Sequence, residues 1–253
     1  MDRIVTLHLR YRIALSAACL LLWSPSAFPY RPFDLTDADV AAEREFELEL
    51  GIGHLREGPD KFLIAPAVVG NLGIGGGREI VLEGKLSTPL HNTGDSQSAL
   101  EDTALSLKQV HRVGSLQDGT GVSIASECGV LLPEIHGASR TGASCFGIVS
   151  QRWPAASVHL NAGLALDREH NWNRTLGGIV EGPHDWTVRP ALELIAERNS
   201  SGSQTNSALA GMIWQKREGL AFDFGARAAR SDGQDIYEVR AGLTWGFDVG
   251  NNK

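Results

Sequence analysis

From Phe46 to Phe247 the chain alternates apolar and polar side chains with a period of two and offers no sustained helical stripe. Successive side chains of a strand point to opposite faces, so this pattern commits the chain to sheets with one greasy side. In 237–247, Tyr237, Val239, Ala241, Leu243, Trp245 and Phe247 share a face, against Glu238, Arg240, Gly242, Thr244 and Gly246. In 46–53, Phe46, Leu48, Leu50 and Ile52 oppose Glu47, Glu49, Gly51 and Gly53. Further strands are predicted over 61–70, 80–86, 103–110, 121–132, 143–151, 157–167, 175–181, 188–197, 207–215 and 221–229, giving about 12 in all. A greasy sheet face has two outlets: a second sheet, as in a soluble sandwich, or lipid, as in a barrel.

The amino end bears on that choice. Arg3, Arg10 and Arg12 precede an apolar run over 13–23 and the small residues Ser24-Pro25-Ser26-Ala27, the pattern of a cleaved secretory signal over residues 1–27. The run is too short to span a bilayer. Removing residues 1–27, which hold Arg3, Arg10, Arg12 and Asp2, shifts the formal charge from -7 to -9, so the exported chain is acidic. Residues 28–44 are rich in turn formers and lack alternation, which makes them an irregular periplasmic leader to a barrel over 45–253. Tight connectors at 73–77, 153–156 and 216–219 interleave with longer ones at 87–98, 133–141, 198–204 and 230–236, as in a barrel with both ends in the periplasm. Trp153, Trp186, Trp214, Trp245 and Phe247 sit near strand ends, where a membrane interface would lie.

The expected fold is an all-β, antiparallel, up-and-down transmembrane β-barrel of the bacterial outer membrane. Its lumen-lining candidates are Glu47, Glu49, Glu83, Lys85, Lys108, Glu127, His159, Arg189, Glu193, Glu197, Asp223, Arg227, Glu238 and Arg240. The final strand, with Arg240, Gly242, Trp245 and Phe247, is similar to the terminal targeting strand of outer-membrane barrels, which makes the barrel-assembly machinery and outer-membrane lipid its expected partners. A polar lumen would pass small solutes and sort them by charge. Cys128 and Cys145 fall on neighbouring predicted strands of an exported chain, where a disulfide persists. Cys128 shares parity with Val122, Ile124 and Val130, whereas Cys145 has opposite parity to Phe146 and Ile148, so the pairing stays open at this point.

Other classes fit less well. No basic stripe is present to neutralise phosphates, so nucleic acid is not an expected partner. The cluster Gly73, Gly75, Gly76 and Gly77 leads into a strand and not a helix, so it lacks the amino end that cradles phosphate. The eight histidines are scattered without ligand spacing, and neither a metal nor a cofactor is expected. Twelve-stranded barrels also support Ser-His hydrolysis, and His170-Asn171-Trp172-Asn173-Arg174 has a superficial likeness to an outer-membrane phospholipase segment, but no serine holds the nucleophile position. A structural or interaction barrel without transport is the other alternative, with short, repeat-free loops against it.

Several short motifs follow one another along the chain: Arg31-Pro32-Phe33 with Thr36-Asp37-Ala38, then Phe46-Glu47-Leu48-Glu49-Leu50-Gly51, then Leu100-Glu101-Asp102 with Leu107-Lys108. Gly129-Val130-Leu131-Leu132-Pro133, His159-Leu160-Asn161-Ala162-Gly163 and Gly211-Met212-Ile213-Trp214 come after them. Their order resembles the family of the MetA pathway of phenol degradation, outer-membrane transporters with porin-like barrels. Ala38 between Asp37 and Asp39, and the glycine run at 73–77, depart from the family's pattern. The resemblance implies an outer-membrane channel or transporter, and the family's name implies hydrophobic or aromatic permeants.

Overall fold

The computed structural model describes residues 32–90 and 97–250, and the signal expected over 1–27 lies outside them. Twelve strands follow in order: β1 (Glu45–Glu57), β2 (Asp60–Gly73), β3 (Arg78–Pro89), β4 (Ala99–Arg112), β5 (Ser123–Leu131), β6 (Gly142–Arg152), β7 (Ser157–Leu166), β8 (Trp172–Glu181), β9 (Val188–Asn199), β10 (Gln204–Arg217), β11 (Leu220–Ser231) and β12 (Gln234–Asp248). Each pairs antiparallel with its sequence neighbours, and β1 pairs with β12 from Glu45 opposite Asp248 to Glu57 opposite Ile236. Closure leaves no sheet edge, which is what lets a β wall stand in hydrocarbon. One turn of 3-10 helix, Ser115–Gln117, interrupts the pattern.

Alternation becomes inside and outside. Leu82, Leu105, Leu160, Leu164, Leu176, Leu194 and Val239 are exposed on the outer face, while Glu49, Lys108, Ile148, Asn161 and Glu193 are buried within. Each large outer side chain removed from water contributes about 1.5–3 kcal/mol, so the outer face suits a lipid phase. Aromatics collect at the rim that holds both chain ends. Phe46 meets Phe247 edge-on at 5.5 Å across the closing seam, Trp245 lies 5.2 Å from Phe247, and Trp214 lies 5.6 Å from Phe222. That rim repeats the aromatic girdle of membrane barrels.

Connectors depart from the expected alternation of short and long. The segment expected as a longer loop over 230–236 is a two-residue turn, Asp232-Gly233, both with positive φ (49° and 87°), the backbone that a right-twisted hairpin prefers. At the opposite rim the connector between β4 and β5 is long and carries the 3-10 turn. Most strands extend beyond their expected ends, because polar rim residues such as Gln234 and Asp235 still pair in the ladder, whereas β5 and β7 end slightly inside the expected 121–132 and 157–167.

Cys128 and Cys145 lie directly opposite in register on β5 and β6 and are joined by a disulfide. Both sit on the outer face. Their apparent mismatch of parity arose from assigning Phe146 and Ile148 to lipid, whereas both point inward.

Candidate functional site: a lumen threaded by the leader

Twelve strands enclose more space than inward side chains fill, and residues 32–44 occupy it. The sequence leaves open whether this leader plugs the lumen; the segment runs inside the wall without regular secondary structure. A chain segment inside a barrel brings backbone donors that need partners, and the wall supplies them. Glu193 accepts the amides of Asp34 (3.0 Å) and Leu35 (2.8 Å), Ser150 accepts that of Ala38 (2.9 Å), and Glu79 accepts that of Ala41 (2.7 Å). Asn161 donates to the Thr36 carbonyl at 2.8 Å, and Gln117 donates to the Ala38 carbonyl at 2.7 Å. Each neutral bond contributes about 0.5–1.5 kcal/mol net and those to carboxylates about 1.5–3 kcal/mol, so the set together holds the segment firmly.

Apolar contacts complete the fit. Leu35 packs with Ile179 and Ile195, flanked by Phe33 and Phe146, and Ala38 packs with Ala125 and Ile148. Gly177 makes room for Leu35, since a Cβ there would come within 2.5 Å of its Cδ1. The buried Pro32 lies over Gly211 and Gly225 in the same way. At its carboxyl end the leader joins the wall through the Arg44 amide, which donates to the Gly73 carbonyl at 2.9 Å.

Charges lock the leader at two points. Arg240 Nη1 donates to Asp34 Oδ1 at 2.6 Å, with Arg227 Nε 3.4 Å from Oδ2. Burial alone would raise the Asp34 carboxyl, but Arg240 and then Arg227 outweigh it and hold it below the ordinary carboxylate range. Farther along, Lys108 is fully buried and reaches Thr36 Oγ1 (3.1 Å), Asp37 Oδ1 (3.5 Å) and Glu79 Oε1 (3.6 Å). Burial, reinforced by the charge of Asp37, pushes Asp39 from 3.8 to about 6. Burial also raises Asp37.

Of the lumen-lining candidates, Glu47, Glu49, Lys108, His159, Arg189, Glu193 and Asp223 are buried on the inner side. Glu83, Lys85, Glu127, Glu197, Arg227, Glu238 and Arg240 line a cavity of about 700 Å³ beside the leader. The leader's own Asp34 and Asp37, the wall residues Glu79, Ser150 and Asn161, and Gln117 of the β4–β5 connector were not among them. A usable signal was present in Phe146, Ile148, Ile179 and Ile195, apolar residues at inward parity that require an apolar guest.

The inner wall also holds a row that has the look of a catalytic relay. Ser150 Oγ shares a hydrogen bond of 2.9 Å with His159 Nδ1, and His159 Nε2 lies 3.5 Å from Glu181 Oε1. Ser150 is 1% exposed and already takes the Ala38 amide, so the row braces the leader and presents no nucleophile to solvent. Arg189 Nε, 3.3 Å from Glu181 Oε2, extends the brace.

No protein-family model matches the sequence, and no curated protein does. Solved structures do. The COG4313 outer membrane channel from Pseudomonas putida F1 superposes with a TM-score of 0.60 at 9% identity, over 85% of this chain and 100% of that one. The NanC porin gives 0.56 at 7% identity, over 78% and 98%, and the KdgM porin 0.50 at 13%, over 79% and 99%. At such identities the likeness concerns architecture. The chain has the closed, antiparallel, twelve-stranded fold found among outer-membrane porins and channels.

Proposed function

We propose that this protein is a porin-like conduit of the bacterial outer membrane for small solutes, closed by residues 32–44 and opened when they move. The observation that carries the reading is a cavity of about 700 Å³ inside a lipid-suited wall, bounded by the leader's Phe33, Asp34, Leu35 and Thr36. Its lining extends from these residues to Asp102, Arg168 and Asn173 at the rim away from the chain ends. The fold of the COG4313 channel and the two porins supports the same class. Only the name of the MetA-pathway family, which the motif order resembles, points to hydrophobic or aromatic permeants, and the cavity suits them, since Phe33, Leu35, Phe146 and Ile195 share it with charged residues.

A barrel without transport is the second reading, favoured by the density of contacts that hold the leader. Outer-membrane fractionation with resistance to carbonate extraction, followed by swelling of liposomes containing the refolded protein, tests the proposal. Entry of small aromatic solutes supports a conduit. A protein recovered with the periplasmic fraction contradicts it, and so does a folded membrane barrel that admits no solute with or without the leader.

A further inference from the structure

Within the closed-conduit reading, we propose that Arg227 and Arg240 form a carboxylate-binding subsite that Asp34 fills as an internal ligand. A small monocarboxylate with an apolar body then competes with Asp34 and releases the leader. The inference rests on that reading and adds the class of ligand that opens the barrel.

The leader's grip on the two guanidinium groups is incomplete. Asp34 takes one donor of Arg240, Nη1, at 2.6 Å, while Nε and Nη2, the side-on fork that best matches a carboxylate, have no hydrogen-bond partner. Arg227 Nε is 3.4 Å from Asp34 Oδ2 and also makes no hydrogen bond. Glu238 stands at 3.5 Å from Arg227 Nη1 and 4.0 Å from Arg240 Nε, attracting both without saturating either. Both arginines are largely buried, at 19% and 11% exposure, so their unused donors are not served by bulk water. Asp34 is tethered to a leader fixed by Glu193 and cannot pivot into the fork; a free carboxylate can.

Charge and shape set the ligand class. Exchanging Asp34 for one free carboxylate leaves the net charge of the subsite unchanged, so the balance that holds the leader also holds the ligand. A dianion would add charge beside Glu193, Glu197 and Glu238. Asp34, Arg227 and Arg240 open on the 700 Å³ cavity that Phe33, Phe146 and Ile195 also line, which gives an arene or alkyl body somewhere to lie.

The test records channels of the full chain in planar bilayers at pH 7 and fixed ionic strength, with benzoate, the neutral isostere benzamide, or neither. Benzoate should raise the open fraction saturably by at least about tenfold, the scale of one charge-assisted hydrogen bond, and benzamide should not. Asp34→Asn, in the leader and in none of the wall's strands, should fold as the parent does and be largely open before benzoate is added. Arg240→Gln should lose the response, with Arg240→Lys as the substitute if the glutamine variant lacks heat-modifiable mobility. Equal effects of benzoate and benzamide, or an Asp34→Asn channel as closed as the parent, overturn the subsite. A silent benzoate response while the chain lacking residues 28–44 conducts overturns the subsite and leaves the conduit standing. A leader-less chain that never conducts overturns both.

Discussion

Gly225 shows how a single inward residue reports on the leader. A Cβ there would meet Pro32 Cβ at 3.1 Å and Cγ at 3.5 Å, with Leu209 Cδ1 next at 3.6 Å. Gly225→Val therefore crowds the leader while leaving the β10–β11 ladder intact. Channel recordings should show a higher open fraction with unchanged heat-modifiable mobility, and a variant as closed as the parent would mean that Pro32 is not seated there. At this scale the sequence was legible in parity but not in occupancy. Parity placed Lys108, Arg189 and Glu193 with the other inward side chains, because a strand's period of two leaves little freedom. It could not show that Glu193 caps the amides of Asp34 and Leu35, since those partners are 158 and 159 positions away. Nor did it weigh Ile148 and Ile179 correctly, because an apolar side chain at inward parity looks like noise until a guest for it is known.

Among the elements, the leader is the one whose hold on the wall should vary with pH. Asp39 rises from 3.8 to about 6 in the docked leader, so docking is tightest when both docked and free forms are protonated, and it weakens as pH rises from about 4 through 6. Asp34 has the opposite sign: its lowered value contributes docking strength above the ordinary 3.8 that is lost as pH falls below it. The closed state should therefore be firmest near pH 4. Because Asp39 keeps some contact with solvent, the expected loosening between pH 5 and 7 is about tenfold rather than the full two-unit ceiling. Open fractions at the two pH values measure it, and Asp39→Asn should flatten the difference; a parent channel equally closed at both values contradicts this account. The closing seam is the other decisive element. Phe247 packs on Phe46 and Trp245 there, so Phe247→Ala should lower the yield of heat-modifiable barrel in cells by weakening the β1–β12 join, whereas parental yield would show that these ring contacts are dispensable. The alternation made β12 readable along its core, but its extension to Gln234 was hidden by polar residues that pair through backbone alone.

For the whole molecule, the alternation could have served a sandwich or a barrel, and closure decides it. The same wall that turns leucines outward leaves an interior too wide for its own side chains, and the leader fills part of that space through bonds to residues from β1 around to β12. Architecture was thus readable from the period of two and the close spacing of the strands, while the state of the lumen depended on long-range contacts that no local pattern encodes. The most direct measurement is a paired conductance recording in planar bilayers of the full chain and of the chain lacking residues 28–44, both with heat-modifiable mobility confirmed. The account predicts long closed periods for the full chain and stable, larger openings once the leader is gone. Identical conductance from the two proteins would contradict it.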